Sequence, residues 1–469
     1  MFTSKRMPIT VLISGGELAI ESVVETKAVA IVHFVQGSNE KIQIRYGEMF
    51  LGIRHTANRR SAAFLIRLLL PGTILFAIFA VLQTGTRAAQ SERALRNANP
   101  ERLWVGAYVP GWNQEPLDPR NDHLLDAITH FLHFAVYLRP RNGNLDLKTN
   151  ELTPAKMRAL VKAAHGTGKR ALLVVGGDGS EPGLCIAATP EHLQKTVKSI
   201  LSLIEQYGYD GIDVDWEPLV PEDAELYSTF IESLRKGLDQ TSLRYRKPKL
   251  ELTTEIEVNL NDKDYMASLL GTLHKLDEKF DRINLMTYAM ANPTSLPFVW
   301  HNAALYPGAS PVDGFRTPSA DGAIREFFAA GFPPDKLGIG IDLYGYLWQG
   351  ISPEDVSTLG RLWKHPPKVV ELTYGEVLKY SRNNSTQWDE QAKVPYMSIP
   401  QMNQFLSYED SRGIEAKLRY VRENGLGGVI IWDIGRDDRD DNSKRQLLGV
   451  IDSAEFFEKP PGAGEIVLH

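Results

Sequence analysis

Between Arg102 and Gly435 the chain repeats one pattern: a short apolar run, then a longer amphipathic segment. The runs are RLWVGAYVPGW, ITHFLHFAVYL, RALLVVGG, YDGIDVDWE, KLELTTEIE, FDRINLMTYA, KLGIGIDLYG and GLGGVIIWDIG. Several of the intervening segments carry apolar residues at helical spacing. Leu152, Met157, Leu160, Val161 and Ala164 do so in one, and Leu193, Val197, Ile200, Leu201 and Ile204 in another. Buried strand alternating with helix argues for parallel βαβ units, and eight units close a (β/α)8 TIM barrel. The catalytic barrel is expected over residues 100–455. Residues 346–405 break the rhythm and read as a small α+β insertion between strands 7 and 8, with a helix and one or two hairpin strands. The run GRDDRDDNSKR after the last strand reads as a solvated loop, and residues 456–469 as a tail.

The fourth run carries the chemistry. In YDGIDVDWEP (209–218), Asp213, Asp215 and Glu217 share one face of an extended chain, while Ile212, Val214 and Trp216 take the other. A solvated edge strand has this pattern, and so does a barrel strand aiming acids into a pocket. A barrel has no free edge, and clustered buried carboxyls cannot all ionise. The row therefore reads as catalytic, with at least one raised pKa, as a general acid near neutral pH requires. Asp210 is out of phase and reads as a supporting residue that fixes the strand.

Composition sets limits. Of 469 residues, 43% are hydrophobic and 23% charged, with a formal net charge of -6, so a polyanion such as nucleic acid is not an expected partner. Cys185 is the single cysteine, which rules out an internal disulfide and a zinc–thiolate cluster. His130 and His133 lack a third ligand at metal spacing. No metal or cofactor is expected, and the chain reads as a monomer.

The N-terminal ninety residues are different. Arg59, Arg60 and Arg67 precede an apolar run from Leu68 to Leu82, and small residues follow at Ala88 and Ala89. That order reads as a signal peptide within residues 49–90, giving a secreted or periplasmic protein; the alternative is a membrane anchor through residues 68–82. A chain beginning at Met49 carries an ordinary basic leader, so residues 1–48 read as an early-assigned start or a disordered extension. Against this, KIQIRY alternates like a strand.

DGIDVDWE matches D-x-x-D-x-D-x-E, and the chain resembles glycoside hydrolase family 18, the chitinase family. VGAYVPGW, LLVVGG, NLMTYA, GFPPDKLGIGIDLYG, WDEQAKVPY, FLSYED and GLGGVIIWDIG resemble further family segments in order, over residues 102–455. The resemblance implies hydrolysis of β-1,4 bonds at N-acetylglucosamine units, in chitin or its oligomers, by substrate-assisted catalysis. It makes Glu217 the proton donor, Asp215 the anion orienting the acetamido group, Asp213 its proton-sharing neighbour, and Tyr288 a contact to the acetamido group. Trp432 is the implied aromatic floor. Tyr108, Trp112, Met286 and Tyr344 are expected to bind substrate, and Gly176 and Gly177 to support the site. The sequence departs from the family at Val174, where Ser is usual, and at Ala289, where Asp is usual. Two alternatives remain: an endo-β-N-acetylglucosaminidase acting on glycans or peptidoglycan, and a non-catalytic sugar-binding relative. Glu255 and Glu257 are left between cleft and surface.

Overall fold

The structure, a computed structural model, describes five strands between residues 9 and 54 by their backbone and residues 103–451 with side chains. Excepted are 115–124, 126, 247, 292, 295, 309–313, 352–361, 364 and 439–446; backbone continues to Ser453. The chain divides into two units, Met1–Ser91 and Glu92–His469. In the first, the strands Ile9–Ser14, Glu17–Ser22, Ala30–Val35, Lys41–Tyr46 and Met49–Arg54 pair antiparallel in sequence order. The first four fall on the stretch read above as an early start or extension, where only KIQIRY carried a strand signal, and the fifth falls at the start of the stretch read as a signal peptide or anchor. The apolar run 68–82 and the tail 456–469 lie outside the described residues.

Eight parallel strands of the second unit close a barrel: β1 (Trp104–Pro110), β2 (His130–Leu138), β3 (Arg170–Gly177), β4 (Gly211–Trp216), β5 (Glu251–Ile256), β6 (Arg282–Leu285), β7 (Leu337–Asp342) and β8 (Gly428–Trp432). Each pairs with its sequence neighbour, and β8 pairs with β1 to complete the ring. All eight lie on the eight apolar runs. Alternation along each strand sorts two cores. Val105, Ala107 and Val109 face out into the layer beneath the helices, while Trp104 and Tyr108 face in and pack with Leu132, Leu172, Val174 and Ile430. The two helical patterns form Pro154–Gly166 and Leu193–Tyr207. Each buries the stripe read from its sequence, apart from the half-buried Leu201 and from Leu152, which lies ahead of its helix.

The insertion is larger than expected. It is a five-stranded antiparallel sheet of Tyr344–Gln349, Lys368–Thr373, Gln387–Asp389, Val394–Ile399 and Gln404–Tyr408, with a helix at Tyr374–Ser381. Its first strand begins one residue after Leu343, so KLGIGIDLYGYLWQ holds two strands in one continuous apolar run. Among the described residues no helix is long and apolar enough to cross a membrane.

Candidate active site

The acid row lies inside the barrel at the carboxyl end of β4, where barrels of this type build their sites. Ile212, Val214 and Trp216 face outward. Trp216 packs edge-on against Tyr227 and Phe230 of the helix Ala224–Tyr245, at 5.7 and 6.0 Å between ring centroids. That packing fixes the strand's rotation and so aims Asp213, Asp215 and Glu217 inward.

Asp213 is the deepest. It lies opposite Val174 on β3 and Thr253 on β5. Val174 offers no hydroxyl; the Thr253 hydroxyl donates to Asp213 Oδ1 instead, and the Tyr108 hydroxyl donates to Oδ2 at 2.8 Å. Burial pushes the Asp213 pKa up, and these two donors oppose the rise. Tyr108, expected as a sugar contact, thus commits its hydroxyl to Asp213, leaving its ring 5.2 Å from that of Trp432.

Asp215 is buried, and its pKa is pushed well above the ordinary range by burial first, then by the Glu217 charge and a hydrogen bond to Glu217. Glu217 is raised to about 7 by burial, and the charges of Glu257 and Asp178 add to this. Two carboxyls this close titrate as one unit that holds a proton between them. Gly176 lies opposite Asp215 at φ +125°, and a Cβ there would stand 1.8 Å from the Asp215 carbonyl oxygen. At Gly177, with φ +106°, a Cβ would stand 2.7 Å from the Phe134 ring. Both glycines are therefore required by the close approach of β3 to its neighbours.

Above the row opens a cavity of about 520 Å³. Asp215, Glu217, Gly176 and Gly177 line it, with Tyr108, Trp112, Phe134, Met286, Tyr288, Tyr344 and Trp432. Phe134 and Trp432 meet at 4.8 Å, Phe134 and Trp112 at 5.6 Å, and Tyr288 and Tyr344 at 6.5 Å between ring centroids. These rings present apolar faces beside convergent polar groups, the makeup of a sugar pocket. The sequence-derived residues thus line this cavity, except Asp213, which is buried beneath it, and Asp210. It lies at the opposite end of β4, where Oδ2 accepts from the Ala171 backbone N–H and contacts His165 Nε2, both at 2.8 Å. It ties β4 to β3, as a supporting residue does. His130 contacts Thr129 and Glu251, and His133 contacts Tyr209 and Gln114, so the two rings serve separate structural contacts.

Three features go beyond the sequence reading. Thr253 was not singled out there. Glu255, left between cleft and surface, is buried, accepts from Asn284 Nδ2 at 2.9 Å, and lines the cavity with Oε2 unpartnered. Its pKa is pushed well up by burial and then by Asp213. Arg436 is the third. It belongs to the run read as a solvated loop, yet it lines the cavity, stacks over the Tyr344 ring at 5.1 Å, and pairs with Glu371 at 2.5 Å and Asp433 at 3.1 Å. Asp437 of the same run is buried and accepts from the backbone N–H groups of Leu447 and Leu448. Arg436 sits just past the carboxyl end of a barrel strand, the position that marks a site-facing residue and that composition alone concealed. At Ala289, where the family pattern has Asp, the backbone is left-handed (φ +51°), and its N–H donates to Asn302 Oδ1 at 3.0 Å.

Comparison with known proteins agrees with this geometry. The family model described as glycosyl hydrolases family 18 matches residues 105–437. Chitotriosidase-1 of Mus musculus is 29% identical, over 57% of this chain and 59% of its own. Chitinase B of Serratia marcescens is 23% identical, over 67% of this chain and 75% of its own. The match thus spans under two thirds of the mouse protein. Among solved structures, a family 18 N-acetylglucosaminidase from Paenibacillus barengoltzii superposes with a TM-score of 0.63 at 24% identity, covering 75% of this chain and 99% of its own. The Ostrinia furnacalis Group IV chitinase gives 0.62 at 23%, covering 75% and 98%. At these identities the two structures speak to the fold. With the family model spanning most of the chain, the protein belongs to the family 18 glycosyl hydrolases.

Proposed function

We propose that the chain is a retaining glycoside hydrolase that cleaves β-1,4 bonds at N-acetylglucosamine units of chitin or chitooligosaccharides, with the substrate's acetamido group as nucleophile. The observation that carries this reading is the inward acid row of β4, whose Asp215 and Glu217 line a ring-lined cavity above Asp213. Glu217, held near the pKa a general acid needs, donates its proton to the glycosidic oxygen as that bond to the anomeric carbon breaks. The acetamido carbonyl oxygen bonds to the same carbon, forming a cyclic cation. Asp215 Oδ1, buried and unpartnered, is placed to accept the acetamido N–H and to offset the growing positive charge. Asp213 sits beneath as a fixed neighbour to the shared proton. Water then opens the ring, returning its proton to Glu217 and the β configuration to the sugar. Trp432 and Tyr288 bound the sugar's faces.

The chitinase names of the relatives support the substrate class. The altered residue at Ala289 favours a second reading, an endo-β-N-acetylglucosaminidase using the same acids. The basic–apolar–small order over residues 49–90 supports an exported protein. The test incubates the full chain with N-acetylglucosamine oligomers, chitin, glycoprotein and peptidoglycan and weighs the products. Cleavage of the oligomers with Glu217→Gln inactive but still binding is the expected result. Binding without cleavage by the wild type makes the chain a lectin and ends the proposal.

A further inference from the structure

The cavity has a charge imbalance that hydrolysis of a neutral polymer does not require. Asp178, Asp215, Glu217, Glu255, Glu257 and Glu371 all line it, and Arg436 is the one base among its described lining residues. Arg436 is already paired with Glu371 and Asp433. The other acids have no cationic partner among the described residues.

Their arrangement is specific. Asp178 follows the end of β3 and Glu257 the end of β5, the two strands that flank β4. Since Trp216 pairs with Gly177, the ladder continued by one step sets Asp178 beside Glu217, and β5 brings Glu257 up on the other side. The side chains of Asp178 and Glu257 are reached by solvent and hold no hydrogen bond or ion pair among the described residues. Deeper in the same cavity, Asp215 Oδ1 and Glu255 Oε2 belong to side chains 3% and 2% exposed and lack partners. Those two oxygens face the reacting sugar and await its donors. Glu217 protonates the leaving oxygen, so a row drawn through Glu217 and outward from Asp215 faces the sugar on the leaving side. The charges felt by each acid agree: Glu257 and Asp178 act on Glu217, whereas Glu217, Glu255 and Asp213 act on Asp215.

We infer that Asp178 and Glu257, on either side of the general acid Glu217, receive a protonated amine, so that the preferred substrate is partly deacetylated chitin with a free glucosamine unit on the leaving-group side of the cut. This deepens the function proposed above and rests on it. N-acetylglucosamine must still occupy the reacting position, because the acetamido group is the nucleophile. One unit further on, an ammonium group meets carboxylates that nothing else neutralises. Anionic glycans, such as those bearing muramic or sialic acid, meet the same row as like charge and are disfavoured.

The experiment compares two oligosaccharides of equal length: one fully N-acetylated, and one with a single glucosamine on the leaving side of the expected cut. Both are assayed at low salt, where screening is weak, and at a pH below the pKa of the sugar amine, where it is protonated. The kcat/KM of the glucosamine-bearing oligomer is expected to be about fivefold higher, as a half-solvated charge pair supplies. The preference is expected to shrink as salt is added and to vanish in D178N/E257Q. The ratio of the two substrates on each variant is the readout, which divides out any effect of the substitutions on the chemistry. Equal rates in the wild type, or a preference that survives the double substitution, overturns the inference. Should neither oligomer be cleaved, the hydrolase reading fails. The affinities of Glu217→Gln for the two oligomers then decide this inference alone, and equal affinities reject it.

Discussion

Thr253 donates its hydroxyl to Asp213 from directly across the β4–β5 ladder, taking the place that the family pattern gives to a serine on β3, where this chain has Val174. The barrel thus supports its deepest acid from the opposite neighbour. A hydroxyl donating to a carboxylate favours its charged form, so Thr253→Val raises the Asp213 pKa further and fixes there a proton that the proposed mechanism assigns to Asp215 and Glu217. A lost hydrogen bond to a charged group is worth about 1.5–3 kcal/mol, so kcat is expected to fall about 10–100-fold. Thr253→Ser, which keeps the hydroxyl, should restore most of it. Steady-state kinetics on both variants checks this; equal losses in Val and Ser would show that shape, not the hydroxyl, matters.

The pH profile follows from Glu217. The proposed mechanism requires it protonated, and its protonated fraction declines as pH rises through about 7, so the alkaline limb of kcat/KM is expected near there. Glu257 is one of the two charges that add to this rise. Glu257→Gln removes that charge and is expected to move the limb to lower pH by up to about one unit. A limb that stays in place while the plateau drops would mean that Glu257 contacts substrate without tuning the acid.

The same raised value is a statement about stability. Glu217 goes from an ordinary 4.5 in the unfolded chain to about 7 when folded, so the folded state holds its proton more tightly. Its stabilising share is complete below 4.5 and is lost as pH rises through about 7. Glu217→Gln is therefore expected to stabilise the fold by ~1–3 kcal/mol at about pH 8 and scarcely at all at about pH 4. Denaturant midpoints at the two values read this directly, and an equal gain at both assigns the effect to packing.

The barrel and the acid row were legible because each depends on alternation within a single strand. Asp213, Asp215 and Glu217 on an apolar strand have few physical alternatives once the strand belongs to a closed sheet. The β5 segment ELTTEIE carries the same period, with Thr253, Glu255 and Glu257 on one face. Polar residues on one face of a strand do not say whether that face is wet or enclosed. Only the pairing of Thr253 with Asp213 shows that it turns inward. The insertion was under-read for a related reason: Leu343 joins two apolar strands without a turn residue to mark the corner. Arg436 was hidden because a cation among acids looks solvated until Glu371, 65 positions away in sequence, is seen beside it.

Gly176 tests how closely β3 and β4 approach. Gly176→Ala puts a methyl 1.8 Å from the Asp215 carbonyl oxygen, at φ +125°, where side chains are strained. Either strand must move, and the expected cost is on the order of 3–5 kcal/mol, with activity lost through displacement of Asp215. Gly179→Ala is the control: its φ of +70° is also left-handed, but nothing lies within 4 Å of the added carbon. Its cost is expected to stay near 1 kcal/mol. Comparable unfolding midpoints for the two variants would contradict the close approach.

Behind the cavity, Lys417 is fully buried between Glu409 at 2.5 Å and Asp342 at 3.8 Å. Asp342 accepts from Asn302 Nδ2 at 2.5 Å, and Asn302 Oδ1 accepts from the Ala289 N–H, one residue past Tyr288. The ion group therefore braces the turn that sets Tyr288 at the cavity wall. Burial raises Glu409 to about 8 even with the ammonium opposing it. Lys417→Met leaves two enclosed carboxyls without a cation, and the expected loss is ~3–5 kcal/mol. Without Lys417 both carboxyls rise further, so the folded state takes up more protons and the variant's stability is lost as pH increases through those raised values. The deficit against wild type should therefore be larger at about pH 8 than at about pH 5, which denaturant unfolding at both values measures. A deficit independent of pH would mean that Lys417 acts through its aliphatic stem, and that the turn at Ala289 is held by Asn302 without help from the charge.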